Sequence, residues 1–397
     1  MRVLCTCLPG FGHFNPLVPL ARALVVAGHE VAFATAANFC PRVEQAGFPA
    51  FAAGMNLGEQ LEVAARRYPD FSSLPMGKER FETFVPRMLA GVAAPARADD
   101  LVPLVARWRP DLILHDEAEF AAPVAAAVAG IPHASQSIVQ LRPWSMALFA
   151  GRELTPLAAR WGVDVGPHGG LYRYLHFDSC PPSLQAPHIV EVAVAHPLRN
   201  TEDLDTASGD VLPPWVDGLP ARPTVYVTLG TVFNRDPAVF SAILKGLGGM
   251  GVNVIATIGH GHDPAQLGPQ PESVHVARYI PLSMLLPRLD VVVTQGGTSI
   301  LPALGRGLPL LLLPQGADQF HNAEACVAAG VGRRLLPTEL HPGAVRREVE
   351  LLLSDGAFAT RARGVRAEIE SMPGPGVGVQ LLERLARERQ PIQRAGP

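Results

Sequence analysis

Two short polar stretches in the second half of the chain carry residue types suited to binding an anion and a hydroxylated group. The first, residues 294–299, follows the apolar run 291–293, which predicts a buried strand. Its two glycines favour a tight turn, and the next residues favour a helix start, where free N–H groups and the helix dipole attract anions. The sequence therefore predicts a phosphate-binding element made of Gln295, Gly296, Gly297, Thr298 and Ser299.

The second stretch places an acid and an amide after the next apolar run, residues 310–313. If that run is a parallel strand, Asp318 and Gln319 lie near its carboxyl end, where open α/β sheets bind ligands. A phosphate element at one strand end and a carboxylate–amide pair at the next indicate a nucleotide diphosphate that carries a hydroxylated group. A sugar nucleotide satisfies both requirements.

The composition indicates a globular protein with more than one core. The chain has 397 residues, 48% hydrophobic and only 17% charged, which suits two domains of about 150–200 residues each. Lys plus Arg (33) nearly balance Asp plus Glu (36), and no block of like charge occurs, so we expect neither nucleic acid nor an anionic membrane as a partner.

The first residues read as a strand and not as a signal peptide, and no apolar run approaches the roughly 20 residues that cross a bilayer. We therefore expect a cytoplasmic protein. The five cysteines are scattered without a C-x-x-C motif, which favours buried thiols over a disulfide framework or a zinc site.

Strands and helices alternate in the pattern of a doubly wound parallel sheet. Residues 3–8 predict a strand, 9–14 a glycine-containing loop, and Asn15 the cap of a helix that ends at Gly28. A strand at 31–35 follows, and the alternation recurs between 111 and 131.

The alternation breaks in a polar, proline-rich segment and then resumes at residue 224. We therefore predict a first Rossmann-like domain at 1–199, a linker at 200–222 and a second Rossmann-like domain at 223–397. The final helix is expected to return to the first domain.

Five motifs in order resemble a known family: residues 12–16 (GHFNP), 225–231 (VYVTLGT), 279–281 (YIP), the glycine pair at 296–297, and Pro314 with Asp318, Gln319 and Asn322. Together they resemble the nucleotide-sugar-dependent, UDP-glycosyltransferase-like enzymes of the GT-B class, and within it the bacterial enzymes that glycosylate antibiotics and other natural products. The resemblance implies two α/β domains facing each other across a cleft. It also implies inverting, metal-independent transfer of a sugar, possibly a deoxysugar, from a dTDP- or UDP-sugar to a hydroxyl of a hydrophobic aglycone.

Glycosyl transfer needs a base for the acceptor hydroxyl, and the resemblance assigns that role to His13, oriented by Asp116 at the end of a later strand. Imidazole has suitable basicity near neutral pH. The alternative for His13 is a helix cap. His115 and Glu117 compete for the acid role, but strand alternation turns both to the other face, which favours Asp116.

The remaining site residues also follow from the resemblance. Thr231 resembles the hydroxyl residue that contacts the diphosphate, Tyr279 stacks on the nucleotide base with Ile280 offering its backbone, and Asp318 and Gln319 bind sugar hydroxyls. The alternatives are a core tyrosine at 279 and an ordinary surface turn at 318–319.

Two departures from the family affect the phosphate element. Gln295 stands where the family usually has histidine, and the loop before the helix is one residue shorter. Glutamine can donate a hydrogen bond but cannot become a cation, so Thr298, Ser299 and backbone N–H groups would carry more of the diphosphate. Pro302 is tolerated because the first helical turn needs no backbone donor.

The sequence indicates no cofactor besides the nucleotide sugar, which is a co-substrate. The run Gly259-His260-Gly261-His262-Asp263 lacks a further ligand, and the Asp203/Asp205 pair lies in the linker, so we predict no metal. The acceptor is expected against the irregular segments 55–91 and 140–178, which carry Phe71, Phe81, Phe84, Trp144, Met146, Phe149 and Trp161.

Two other functions stay open: a sugar-nucleotide epimerase on the same scaffold, and a non-catalytic auxiliary subunit of a glycosylation pathway. The protein is expected to be a monomer or a homodimer.

Overall fold

The computed structural model describes residues 1–70, 77–200, 211–230, 236–259 and 261–394. The described residues fall into two compact units. The first draws on Met1–Cys180, Gln185–Leu204 and Met372–Pro397, and the second on Pro181–Leu184 and Asp205–Ser371. The chain thus returns to the first unit at its end.

The first unit is built on a parallel sheet of seven strands in the order β3-β2-β1-β4-β5-β6-β7. Its strands are β1 (Arg2–Thr6), β2 (Glu30–Thr35), β3 (Ala50–Ala52), β4 (Leu112–Asp116), β5 (His133–Gln136), β6 (Leu175–Asp178) and β7 (Ala195–Pro197). Thr6 pairs with His115, and Asp116 with Gln136. The carboxyl ends of β1, β4 and β5 therefore share one edge.

Both faces of this sheet are buried, as the strand periodicity requires. Val3 and Cys5 belong to one apolar cluster and Leu4 to another. The helices of the unit are α1 (Phe11–Phe14), α2 (Val18–Val26), α3 (Cys40–Gln45), α4 (Leu57–Arg67), α5 (Lys78–Pro86), α6 (Ala94–Trp108), α7 (Ala121–Ala129), α8 (Trp144–Arg160) and α15 (Pro375–Glu388).

The second unit repeats the plan with a parallel sheet of six strands in the order β10-β9-β8-β11-β12-β13. These strands are β8 (Thr224–Thr228), β9 (Asn253–Thr257), β10 (Val274–Ala277), β11 (Val291–Thr294), β12 (Leu310–Leu312) and β13 (Gly332–Arg334). Its helices are α9 (Pro237–Leu247), α10 (Leu282–Leu285), α11 (Ile300–Leu304), α12 (Gln319–Ala328), α13 (Pro342–Ser354) and α14 (Gly356–Ser371). The predicted class, two parallel-sheet α/β domains, is confirmed.

Several local predictions need correction. Residues 11–14, predicted as loop, form the short helix α1, and Asn15 begins a 3₁₀ turn (Asn15–Leu17) instead of capping a helix. The Gly10 carbonyl accepts from the N–H groups of His13 and Phe14. A helical turn therefore satisfies the backbone before the main helix α2 begins.

The expected acceptor segments, read as irregular, are largely helical. They contain α4, α5, α8 and a π-helical stretch at Arg87–Ala93. In the part of the chain with described coordinates, none of the helices has the length and apolar character needed to span a bilayer.

Candidate active site

His13 and Asp116 are hydrogen-bonded at the shared carboxyl edge of β1 and β4. The His13 Nδ1 atom lies 3.2 Å from Asp116 Oδ1, with the imidazole 28% exposed and the carboxylate 1% exposed. A partly exposed ring held by a buried carboxylate leaves Nε2 as the nitrogen that can meet a substrate.

The Asp116 carboxylate is held ionised by its surroundings. Burial by itself would raise its pKa, but the His13 ring and two backbone donors outweigh burial and lower the pKa from its usual value. Leu8 N–H donates to Oδ2 at 3.0 Å and Ala118 N–H donates to Oδ1 at 2.7 Å. Because an ionised carboxylate only accepts, His13 Nδ1 must carry the proton, and Nε2 is the basic atom.

Aromatic packing fixes the short helix that carries His13. Phe14 packs edge-on against Phe33 and Phe39 at ring distances of 5.1 and 5.8 Å, and Phe11 packs against Phe39 at 5.4 Å. On the other side, the Gln136 amide donates to the Pro16 carbonyl. The histidine therefore sits on a turn anchored before and after it.

The two residues that competed with Asp116 make other contacts. The His115 ring is fully buried, with Nδ1 2.9 Å from the Asp116 carbonyl oxygen and Nε2 3.1 Å from His133 Nδ1. Glu117 lies 3.3 Å from Arg142 Nε. Among the described atoms, Asp116 is the one of these three residues that lies within hydrogen-bond distance of the His13 ring.

In the second unit, Thr294 organises the glycine loop after β11. Its hydroxyl donates to Gln295 Oε1 at 2.8 Å and lies 2.6 Å from Ser299 Oγ. This turns the Gln295 Nε2 group toward Gly230 and Gly297, whose Cβ positions it would crowd at 2.2 and 3.1 Å. The Gln295 side chain is thus oriented to donate.

The helix that follows the predicted phosphate-binding element begins later than expected. Helix α11 begins at Ile300 and spans five residues, so Thr298 and Ser299 precede it, and its dipole is short. Since the single proton of Thr294 goes to Gln295, the Ser299 hydroxyl donates to Thr294 and is not free for a ligand. Donors for an anion would come from Gln295 and the backbone of the loop.

The segment after β12 joins the glycine loop through a residue that the sequence-based site omitted. Asn322 Nδ2 donates at 3.0 Å both to the Gly296 carbonyl and to Asp318 Oδ2. The Gln319 side chain is only 3% exposed, and its Oε1 accepts from the N–H groups of Gln315 and Gly316. Its amide nitrogen is the remaining hydrogen-bond donor of this side chain.

Tyr279 follows β10 with 45% of its surface exposed, whereas Ile280 is buried. The exposed ring excludes the core-tyrosine alternative. Thr231 lies outside the described residues.

In the run 259–263, which resembles a set of metal ligands, Asp263 makes a different contact. Asp263 caps the 3₁₀ turn Pro264–Leu267, accepting from Ala265 N–H at 3.2 Å. His260, Asp203 and Asp205 lie outside the described residues. Among the residues with described positions, no three His, Cys, Asp or Glu side chains converge as ligands.

Several of the apolar residues expected to contact the acceptor belong to the hydrophobic core. Phe81, Phe84 and Met146 are buried, because the helices that carry them turn these side chains inward. Trp144 is half-buried and stacks on His168 at a ring distance of 4.1 Å. Phe71 lies outside the described residues.

Comparison with known proteins places this site in a family. The family model described as "Erythromycin biosynthesis protein CIII-like, N-terminal domain" matches residues 22–230, and the corresponding C-terminal domain model matches residues 241–385.

Whole-length relatives agree with the family models. The chain is 34% identical to L-demethylnoviosyl transferase of Streptomyces niveus, over 98% of this chain and 99% of the relative. It is 30% identical to tylactone mycaminosyltransferase of Streptomyces fradiae, over 100% of this chain and 95% of the relative.

Among solved structures, the glycosyltransferase SsfS6 of Streptomyces sp. SF2575, complexed with thymidine diphosphate, matches with a TM-score of 0.80 and 30% identity. The match covers 97% of this chain and 99% of that one. The chain therefore belongs to the erythromycin biosynthesis protein CIII-like family and is a glycosyltransferase of the GT-B fold.

Proposed function

We propose that this enzyme transfers a deoxysugar from a dTDP-linked donor to a hydroxyl of a hydrophobic natural-product aglycone, with His13 as general base. The observation that carries the proposal is the hydrogen bond between His13 and the buried, ionised Asp116. That arrangement fixes the imidazole tautomer and stabilises the imidazolium that forms when the base takes a proton.

The choice of donor follows from the relatives. Related enzymes are named for transfer of demethylnoviosyl, mycaminosyl and desosaminyl groups, and SsfS6 is complexed with thymidine diphosphate. In this chain we assign the nucleotide base to the exposed ring of Tyr279, with the backbone of Ile280 beside it.

The diphosphate is assigned to the glycine loop. The Gln295 amide points its nitrogen toward Gly230 and Gly297. The N–H groups of Gly297 and Thr298 make no hydrogen bond within the described residues. These donors would stabilise the negative charge of the departing diphosphate. Asp318 and the Gln319 amide nitrogen are assigned to sugar hydroxyls.

The reaction is a single inverting displacement. His13 Nε2 accepts the proton of the acceptor hydroxyl as its oxygen forms a bond to the anomeric carbon. The bond from that carbon to the diphosphate oxygen breaks, and the diphosphate leaves with the electron pair. A positioned base of this kind contributes about 10²–10⁴ in rate.

The test is to incubate the enzyme with dTDP- and UDP-linked sugars and a panel of macrocyclic and aromatic aglycones, and to analyse the products by mass spectrometry. We expect an aglycone with a sugar-sized mass gain, formed faster from dTDP donors. Conversion of the donor sugar without any aglycone would contradict transfer and indicate an epimerase. Donor binding without any turnover would indicate an auxiliary subunit.

A further inference from the structure

We propose that Glu119 is a buried positioning residue that neutralises the Arg97 cation beside the His13–Asp116 dyad and so keeps that cation from disfavouring protonated His13. This inference rests on the proposed role of His13 as the base, but its test does not require turnover.

The pair lies beneath the strand ends that carry the His13–Asp116 dyad. Arg97 Nε is 2.8 Å from Glu119 Oε2, and both side chains are 1% exposed. Glu119 Oε1 accepts from Ala121 N–H at 2.8 Å, at the start of α7. The ion pair therefore links the helix α6, which carries Arg97, to the turn that follows β4 and Asp116.

A single peptide unit connects this pair to the dyad. The Cys7 carbonyl accepts from Arg97 Nη1 at 2.6 Å and from Thr35 Oγ1 at 3.1 Å. The N–H of the same peptide unit, that of Leu8, donates to Asp116 Oδ2 at 3.0 Å. A cation on the carbonyl polarises the peptide and strengthens the donor at its other end. The hydrogen-bond chain thus runs from Arg97 through this peptide to Asp116.

Stability alone does not account for such a pair. Burying an ion pair costs desolvation that its attraction barely repays, and apolar replacements are often neutral or stabilising. The Arg97 Nη2 group has no hydrogen-bond partner among the described residues. Gly54 leaves room for this side chain, because a Cβ there would approach Arg97 Cβ at 2.9 Å. We therefore infer that the Arg97–Glu119 ion pair sets the local charge rather than filling space in the core.

The charges around the dyad give the inference a sign. Glu119 interacts electrostatically with Arg97 and with Asp116, and Asp116 interacts with His13. Arg97, Glu119 and Asp116 also act on the Cys7 thiol, and Arg97 acts on the Cys40 thiol. With Glu119 ionised, the Arg97 charge is balanced. Removing the Glu119 charge leaves the cation uncompensated, which disfavours protonated His13.

The experiment titrates the His13 imidazole by NMR in the full chain with isotope-labelled histidine, the signal being assigned by its loss in His13→Gln. We expect Glu119→Gln to lower the titration midpoint by about half a pH unit. The double variant Arg97→Gln/Glu119→Gln, which removes both charges, is expected to return the midpoint to the wild-type value.

Thr35→Val is the matched control, because it removes the other donor to the Cys7 carbonyl without changing charge, and it should leave the midpoint in place. If the double variant does not fold, Arg97→Lys/Glu119→Gln keeps a cation without its counter-charge and should lower the midpoint as Glu119→Gln does. An unchanged midpoint in folded Glu119→Gln would overturn the inference. In the pH profile of kcat/KM for transfer, the midpoint of the acid limb should shift by the same amount as the His13 titration midpoint. If the titration midpoint shifts but no transfer occurs, only the proposed function is contradicted.

Discussion

At the scale of single residues, the Asp116 carboxylate is held by more partners than any replacement side chain could satisfy. Asp116 makes three hydrogen bonds, to the His13 ring and to two backbone N–H groups. An amide in its place would have to turn its NH₂ group toward one of these three donors. The carboxylate therefore accepts from all three donors at once, which an amide cannot do.

We predict that Asp116→Asn lowers kcat by at least about 10²-fold, because the imidazole loses its preferred tautomer and its anionic partner. The matched control is Asp111→Asn at the amino end of the same strand, where the carboxylate likewise accepts a backbone N–H, that of Arg2, at 2.6 Å. Steady-state kinetics of both variants measure the difference. Equal losses in both would show that Asp116 acts only through folding.

Tyr279 gives a second prediction at this scale. Tyr279→Ala should weaken dTDP binding by about tenfold, because base–aromatic stacking contributes about 1–3 kcal/mol. Tyr279→Phe keeps the ring and should bind nearly as well as the wild type. Isothermal titration calorimetry with dTDP measures both affinities, and an unchanged affinity in the alanine variant would remove the ring from the donor site.

At the scale of elements, the carboxyl ends of parallel strands explain why part of the site could be predicted. The β1–β4 pairing brings His13 and Asp116 to one edge, and the alternation along β4 separates Asp116 from His115, as strand geometry requires.

Contacts between distant elements could not be predicted in this way. Arg97 sits in a helix sequence with neighbouring charges, which is typical of an exposed face, yet it is buried. The i,i+4 spacing of Asp318 and Asn322 was a usable signal, since it places both on one helical face, but it did not reveal the bond to Gly296. The start of α11 was also placed too early, because Thr298 and Ser299 suit a helix start as well as a loop.

The glycine loop carries a prediction at this scale. Gly230 has φ +69°, and a Cβ there would lie 2.2 Å from Gln295 Nε2. Gly230→Ala should therefore displace the Gln295 amide and weaken dTDP binding several-fold. The control Gly249→Ala has a similar φ of +75° with nothing within 4 Å of the added Cβ.

Both variants should lose about 1 kcal/mol of stability from backbone strain, but only Gly230→Ala should lose affinity for dTDP. Thermal unfolding and calorimetry separate the two effects. Equal affinities in the two variants would contradict the assigned role of the Gln295 amide.

At the scale of the whole molecule, the chain builds two parallel sheets in succession and then adds its last helix to the first unit. Leu382 and Leu385 of α15 are fully buried in the cluster that covers β1. The apolar face of α15 was readable from the sequence, and the helix was expected to return to the first domain, but the residues that it covers there were not readable, because amphipathicity specifies a face and not a partner.

The interior of the first sheet also predicts how stability depends on pH. Burial lowers the pKa of His115 to about 4 and that of His176 to about 3, and it lowers the pKa of His133 well below its usual value. In the unfolded chain these groups titrate near pH 6.5. Stability from the neutral rings is thus fully present above about pH 6.5 and is lost as the pH falls toward the folded values.

We predict that His176→Asn flattens this dependence. The Ser135 hydroxyl donates to the Leu171 carbonyl, so its oxygen accepts from His176 Nδ1, which lies 2.8 Å away. The asparagine amide can still donate there but does not titrate. Between about pH 6 and 5, the slope of the unfolding free energy should fall by up to about 1.4 kcal/mol per pH unit relative to the wild type. Urea unfolding at a series of pH values measures it, and identical slopes would show that His176 is already protonated in the folded protein.

The most direct test of the whole account is the transfer rate of His13→Ala under saturating dTDP-sugar and aglycone, with dTDP affinity measured on the same sample. We predict a loss of about 10²–10⁴ in rate with unchanged dTDP affinity, since the nucleotide is assigned to the second unit. Turnover within a few-fold of the wild type would contradict the claim that the imidazole held by Asp116 activates the acceptor hydroxyl.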